Sequence, residues 1–481
     1  IRDAALARWT LATRHRLGIL HIVHGHGGGT ERHARSLIGS LRLNQRHLLA
    51  VATGDAWAVE EHDADGSIRS FDFRRDPDES WEHFVGGLCT TLGVDVLHVH
   101  NVLGSRAGLL QALNGLGLPF GYTVHDLSLA CPTITLLRSD GRYCGGETEL
   151  AACRQCISSQ PQFADVDVGD WRTEHDRLLR KAAFLIAPSR WAADTLRGYF
   201  PGLAVDVVPH ALPVGVFPRT GDDEAPRLRN AVSPLLGIVN PDDGVPTVGV
   251  LGAIGPDKGA RRIERLAEEA RVTGTRVRFV VIGYLDSRQQ PWQSDDRILT
   301  VHGRYSPEDL PTLLDHYRVR LVAFPSAGPE SFSFTLSEAW AAGRPVIVPP
   351  VGALAERVAG TGAGWVWSDA EWDSEARMLA RIADITGPSH AVDLRTAAVA
   401  ALAIPQQTLK AMAERTAAFY DAAARSQRPG GRAFPSFPAV RVRDALGYRP
   451  WNPPPVDETL PAPANGGIGA AAAVALPHSS R

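Results

Sequence analysis

Two glutamates, Glu330 and Glu338, punctuate the segment Gly328-Pro329-Glu330-Ser331-Phe332-Ser333-Phe334-Thr335-Leu336-Ser337-Glu338-Ala339-Trp340-Ala341-Ala342-Gly343-Arg344-Pro345. An apolar run ends just before it at Phe324-Pro325. Helical patterning then runs from near Ser333 to Ala342, where Gly343 can close the helix and Pro345 bars continuation. A helix that starts just outside the carboxyl end of a parallel strand presents backbone N–H groups and a partial positive charge, which suits a diphosphate. Glu330 then lies beside that anion site. Glu338, one to two turns along, is placed to accept hydrogen bonds from the vicinal hydroxyls of a ribose. Taken singly, the two acids read by default as a first-turn and a helix-surface glutamate.

Other segments end apolar runs in the same way. Thr247-Val248-Gly249-Val250-Leu251-Gly252-Ala253-Ile254-Gly255-Pro256-Asp257-Lys258-Gly259 is a strand, a glycine-rich loop through Gly255, and a cation at a helix start, which leaves a point charge beside phosphate oxygens. His24-Gly25-His26-Gly27-Gly28-Gly29-Thr30-Glu31 follows the first apolar run and lacks the last glycine of a dinucleotide fingerprint. Tyr122-Thr123-Val124-His125-Asp126 puts a histidine at a strand end. Cys131, Cys144, Cys153 and Cys156 crowd the next stretch, and a Cys-x2-Cys pair with two further thiols nearby could close a structural, coordinatively saturated zinc site.

These residues need strand ends to hold them. Short apolar runs alternate with helical patterns: Leu17 to Val23, Leu48 to Ala52, Val94 to Val99, Phe120 to Val124 and Phe184 to Ala187, then again Thr247 to Gly252, Arg278 to Gly283, Leu321 to Phe324 and Pro345 to Val348. That alternation predicts an α/β protein of two Rossmann-like doubly wound domains facing a central cleft. The expected division is 1–212 for the first domain with a Cys-rich insertion at 131–156, a Pro/Gly/Asp-rich linker at 213–246, a nucleotide-binding domain at 247–427, and a Pro/Ala/Gly-rich, partly disordered tail at 428–481.

Composition narrows the function classes. The 481 residues carry 50 basic and 53 acidic side chains, a net charge of -3, which gives no electrostatic reason to expect nucleic acid. No apolar run reaches the roughly 18 residues that span a bilayer, and residues 1–16 lack the apolar stretch of a secretory signal, so a cytoplasmic protein is expected. Five cysteines in so long a chain are no disulfide framework.

The paired-glutamate segment, with Lys258-Gly259, the Gly28-Gly29 loop and His125-Asp126, resembles retaining glycosyltransferases of the two-Rossmann-domain (GT-B) type, family 4 or group 1, from about Leu17 to about Tyr420. The resemblance implies that Glu330 contacts donor-sugar hydroxyls, Glu338 the ribose, and the amides of Phe334 and Thr335 the diphosphate. It further implies that Gly28 and Gly29 close on donor phosphate and acceptor, and that His125 sits at the reacting centre with Asp126 as its support. The family commonly has Gly where Ser333 stands and Arg where Ala253 stands. Lys258 then acts alone on the diphosphate or with a substitute, for which Arg304 is the candidate.

The implied donor is a UDP-, GDP- or dTDP-sugar, with no catalytic metal, and the implied acceptor is a hydroxyl of a glycan or lipid-linked glycan, a peripheral membrane contact being compatible with the latter. The alternatives are a sugar-nucleotide epimerase on a similar scaffold and a non-catalytic binding module, to which Ala253 and Ser333 lend weight.

Overall fold

A computed structural model describes residues 16–103, 105–212 and 243–426 together with the strand 441–445. The start of the chain, most of the expected linker (213–242) and most of the expected tail (427–440 and 446–481) lie outside the described residues. The chain separates into two compact units.

The first unit contains strands β1 (Gly18–His24), β2 (Arg46–Thr53), β3 (Ala56–His62), β4 (Ile68–Arg74), β5 (Val96–Val99), β6 (Phe120–Thr123), β7 (Phe184–Ala187) and β8 (Asp206–Val207). Their order is β4-β3-β2-β1-β5-β6-β7-β8, and the strand Arg441–Ala445 pairs antiparallel with the β4 edge. From β2 through β8 the pairing is parallel, whereas β3 and β4 form an antiparallel extension. Burial follows that division. β1 and β5 to β7 are almost wholly buried, as strands covered on both faces must be, and β3 alternates between exposed and buried residues as an extension with one wet face does. Helices Trp81–Leu92 and Arg106–Gly115 bring Phe84, Leu88, Leu109 and Leu113 to one apolar layer, and helix Gly29–Leu41 brings Leu37 and Leu41 to another.

The second unit contains β9 (Thr247–Ile254), β10 (Arg278–Leu285), β11 (Trp292–Gln293), β12 (Leu299–Gly303), β13 (Val319–Ala323), β14 (Val346–Val348) and β15 (Gly364–Val366) in the order β11-β12-β10-β9-β13-β14-β15. All pairs are parallel except β11 with β12. One face of this sheet is covered by Ile263, Leu266, Met378 and Ile382, the other by Leu310, Leu313, Leu336, Trp340 and Leu354, so the unit is doubly wound. The chain leaves β9 toward β10 and later returns to β13 on the opposite side, which makes the carboxyl ends of β9 and β13 the topological switch point.

Two segments part from the expected boundaries. Helix Leu409–Arg425, expected within 247–427, belongs to the first unit, because Met412, Ala413, Tyr420 and Ala423 complete an apolar layer with Ile19, Val96, Phe184 and Ile186. Residues 133–147, expected inside the first domain, belong to the second, where Tyr143 packs against the layer built on Ile263 and Ile382. No helix among the described residues is long and apolar enough to cross a membrane.

Candidate functional site

The loops after β9 and β13 meet at the switch point of the second unit, and backbone packing latches them together. Ala327 N donates to Asp257 O at 2.8 Å. Gly259, at φ +89°, lies so close to the β13 loop that a Cβ there would stand 2.1 Å from Pro325 O. A side chain at this position would be both strained and blocked, which accounts for the Lys258-Gly259 pair. Farther along, the carbonyl of Ser326 accepts from Trp372 Nε1 at 2.9 Å and Arg262 Nη1 at 3.2 Å, and Ser326 Oγ donates to Glu330 Oε1 at 3.2 Å. Ala353 N donates to Glu330 O at 2.8 Å, so the first glutamate is held through both side chain and backbone.

Lys258 is exposed at this point. The Glu330 carboxylate foremost, with Asp257 and Tyr284 adding to it against the cost of desolvation, raises the Lys258 ammonium above its ordinary value. The lysine is therefore a firmly charged cation beside a carboxylate, at a strand end and a helix start. Ala253 is exposed on β9 and is the register partner of Tyr284 on β10. Arg304, exposed at the end of β12, holds its guanidinium carbon 4.7 Å from the centre of the Tyr284 ring. The cation proposed as a substitute for the missing arginine thus stands over the residue paired with Ala253.

The helix expected after Glu330 spans Phe334–Ala341. Ser333 precedes it at φ +72°, a conformation that favours glycine, and makes no side-chain cap, its hydroxyl lying instead 3.1 Å from Thr335 Oγ1. Glu338 is buried at 2 % exposure rather than lying on the helix surface.

Arg357 had no signal in the sequence, yet it braces this loop. Nη1 donates to the carbonyls of Phe332 and Ser333, both at 2.8 Å, Nη2 donates to Ser337 Oγ at 2.6 Å, and the guanidinium carbon lies 4.1 Å from the Phe332 ring centre. Burial lowers its pKa to about 10, so it remains a cation at neutral pH.

In the first unit, Gly28 at φ +82° precedes helix Gly29–Leu41, and both glycines are exposed at the carboxyl end of β1. His125 follows β6 and is half-buried. Asp126 accepts from Asn101 Nδ2 and Ser128 N, both at 2.8 Å, so its carboxylate pins the turn after β6.

Behind His125 stands a row of imidazoles that the sequence does not gather, His21 lying within the apolar run Leu17 to Val23. His47 Nδ1 lies 3.0 Å from His21 Nε2, His21 Nδ1 3.0 Å from His100 Nε2, and His100 Nδ1 3.0 Å from His125 Nε2. His98 is beside them, bonded to Tyr420 Oη and Thr123 Oγ1, both at 2.7 Å. Burial foremost, reinforced by neighbouring histidines, pushes His21, His98, His100 and His125 well below the usual imidazole range, while burial alone takes His33, and burial with His62 takes His47, down to about 3. The row is neutral at physiological pH.

The cysteines do not build the expected cage. Cys153 and Cys156 lie on helix Leu150–Ser158, one turn apart, where the spacing read as a metal knuckle is helical spacing. Cys153 Sγ turns inward, packed with Ile157 and Val168 and 3.1 Å from Arg172 Nη2, while Cys156 Sγ accepts from Gln160 Nε2 at 3.7 Å. Cys131 packs beside Cys153, but Cys144 belongs to the 133–147 segment of the second unit. Among the described residues, no three of these sulfurs come within 4.8 Å of one another.

Comparison with known proteins decides the family. The profile described as Glycosyltransferase Family 4 matches residues 27–214, and the one described as Glycosyl transferases group 1 matches residues 245–384. The chain belongs to the family 4, group 1 glycosyltransferases. This glycosyltransferase-family chain is 27% identical over 316 residues to a D-inositol 3-phosphate glycosyltransferase of Segniliparus rotundus, covering 63% of this chain and 59% of the relative. It is 28% identical over 272 residues to a protein of the same description from Xylanimonas cellulosilytica, covering 54% and 56%. The match therefore spans less than two thirds of either relative.

Among solved structures, the sucrose-phosphate synthase of Thermosynechococcus elongatus matches with a TM-score of 0.59 at 16% identity, over 84% of this chain and 98% of that one. The Anabaena protein HepE with UDP-glucose matches at 0.53 and 15%, over 84% and 99%. At such identities these likenesses show the fold, two Rossmann-like domains of GT-B type.

Proposed function

We propose that the chain transfers a sugar from a nucleoside diphosphate sugar to a hydroxyl acceptor, with retention at the anomeric carbon, and that the switch point of the second unit holds the donor. The observation that carries this reading is the close approach of the end of β9 to the start of helix Phe334–Ala341, where a Cβ at Gly252 would stand 3.4 Å from Thr335 Cγ2, with Lys258 in the loop that follows β9. When the bond between the anomeric carbon and the phosphate oxygen breaks, negative charge grows on the departing diphosphate. A preorganised cation and helix-start amides stabilise that charge more than they stabilise the intact donor. Lys258, Arg304 and the amides of Phe334 and Thr335 take that role, Glu330 holds sugar hydroxyls and Glu338 the ribose. The acceptor oxygen bonds to the anomeric carbon on the face the phosphate leaves, and its proton passes to the departing phosphate. His125, Gly28 and Gly29 are assigned to the reacting sugar and its phosphate on the family resemblance.

Family relatives described as D-inositol 3-phosphate glycosyltransferases support a small phosphorylated polyol as one acceptor class, beside the glycan or lipid-linked glycan inferred from sequence. The charge already supplied by Lys258 and Arg304 favours turnover without a divalent ion at the diphosphate.

The test incubates the chain with UDP-, GDP-, ADP- and dTDP-sugars, with and without each acceptor class, in the presence of EDTA. One donor should release nucleoside diphosphate only when an acceptor is added. Release of an isomerised nucleotide sugar points to an epimerase, and binding without release under every combination points to a non-catalytic module; either result overturns the proposal.

A further inference from the structure

Beyond the donor residues of the second unit, and drawing on the first-unit roles assigned above only through His125, the described residues of the first unit hold two groups of three histidines whose ring nitrogens lie within 4.8 Å of one another: His21, His98 and His100, and His33, His100 and His125. The first is already spent. Both nitrogens of His21 are bonded within the imidazole row and both nitrogens of His98 are bonded to Tyr420 and Thr123. The rings of His98 and His100 also stand only 4.1 Å apart, too close to radiate from one ion.

The second group has a different geometry. Its ring centres are 5.1 Å apart for His33 and His125, 5.3 Å for His100 and His125, and 5.6 Å for His33 and His100. An ion about 2.0–2.1 Å from each ligating nitrogen lies about 3 Å from each ring centre, and three rings at tetrahedral angles around it then stand about 5 Å apart. The triad matches that spacing. His33 is 5 % exposed, and among the described residues its Nδ1 has no hydrogen-bond partner, which leaves that nitrogen able to take a ligand. His125 is half-buried, which leaves a side open for entry.

The outer contacts are those of a ligand set. His100 is held from behind by His21, itself held by His47, which fixes ring orientation as groups around bound metals do. His210 lies against two of the three, tilted over His33 with ring centres 4.0 Å apart and stacked on His125 with ring centres 5.0 Å apart.

We propose that His33, His100 and His125 bind one divalent transition ion of the zinc class. Neutral imidazoles suit zinc, copper and nickel, and three of them leave a fourth position for water. The hydrogen bond between His100 Nδ1 and His125 Nε2, at 3.0 Å, gives way to two metal–nitrogen bonds, and the proton it carried moves to the other nitrogen of its own ring, so that both ligands bind as neutral imidazoles with no net proton release.

The full chain, stripped with a chelator and dialysed, is titrated with zinc by calorimetry, and with cobalt as a spectroscopic probe. One equivalent per chain is expected, with tetrahedral cobalt bands and no thiolate charge-transfer band. His33→Gln and His125→Gln, checked for folding by circular dichroism, should each weaken binding by more than tenfold, and His98→Gln should retain it. The cobalt spectrum of the unaltered chain decides the ligand type even where a variant fails to fold. No uptake, a thiolate band, or binding that survives in both His33→Gln and His125→Gln overturns the proposal.

Discussion

Arg304 holds its guanidinium carbon 4.7 Å from the centre of the Tyr284 ring, and Tyr284 is the residue paired across the sheet with Ala253. A cation from the end of β12 is thereby delivered beside the exposed strand-end position where the family commonly has arginine. If Arg304 serves the departing diphosphate, Arg304→Ala should lower turnover about tenfold, or ~1.4 kcal/mol in barrier. Ala253→Arg in that background should recover most of the loss. Unchanged turnover in Arg304→Ala would remove it from the site.

Lys258→Ala should lower turnover more than donor affinity, by roughly the 2.7–4 kcal/mol that follows loss of one preorganised contact to developing charge. Glu338→Ala should do the reverse, weakening donor binding while turnover at saturating donor largely survives. Glu330→Ala should impair both. Steady-state kinetics of the three variants with EDTA present separate the roles, and wild-type behaviour of Lys258→Ala and Glu330→Ala refutes the assignment.

Ser333 sits at φ +72°, where a non-glycine residue costs roughly 1–2 kcal/mol, partly offset by the greater freedom glycine brings to the unfolded chain. Ser333→Gly should therefore stabilise the protein by about 0.5–1 kcal/mol, read from the denaturant midpoint, and Ser333→Ala should not. Equal effects from both substitutions would show that the backbone there is not strained.

Arg357 joins the carbonyls of Phe332 and Ser333 to Ser337, so Arg357→Met leaves three acceptors to find new partners. A loss of about 1–3 kcal/mol is expected in thermal or chemical unfolding, with weaker donor binding. Lysine lacks the planar fork and should rescue only in part. Donor affinity unaltered in Arg357→Met would separate this brace from the site.

Acid should destabilise the protein early. His47 and His175 are buried, mainly by desolvation held at about 3, against 6.5 for the free side chain. Below pH 6.5 the unfolded chain binds protons that the folded chain refuses, so stability falls with falling pH, by roughly 1.4 kcal/mol per pH unit per histidine once well below 6.5. Unfolding midpoints between pH 7 and 5 should show this slope, and it should flatten in His47→Gln. A flat wild-type profile would contradict the neutral row.

The amino-acid sequence by itself determined what depends on local order. Apolar runs such as Phe184–Ala187, the helix after Glu330 and its stop at Gly343 follow from periodicity and turn chemistry within a few residues. The Lys258-Gly259 pair and both glutamates were visible for the same reason. Strands β3 and β4 are not legible in the sequence, because their half-polar alternation resembles loop sequence until a neighbour supplies hydrogen bonds.

Tertiary structure alone decided everything set by long-range packing. Tyr420 meets His98 across more than three hundred residues, which carries helix Leu409–Arg425 into the first unit. Arg357 reaches the Ser333 loop from a helix of its own, and Cys153 and Cys156 answer to helical packing rather than to a shared ion. The histidines were each legible in the chain, at positions 21, 33, 47, 98, 100 and 125, but their convergence was not. Side-chain chemistry is written residue by residue, whereas distance between residues far apart in the chain exists only once parallel strands set β1, β2, β5 and β6 side by side.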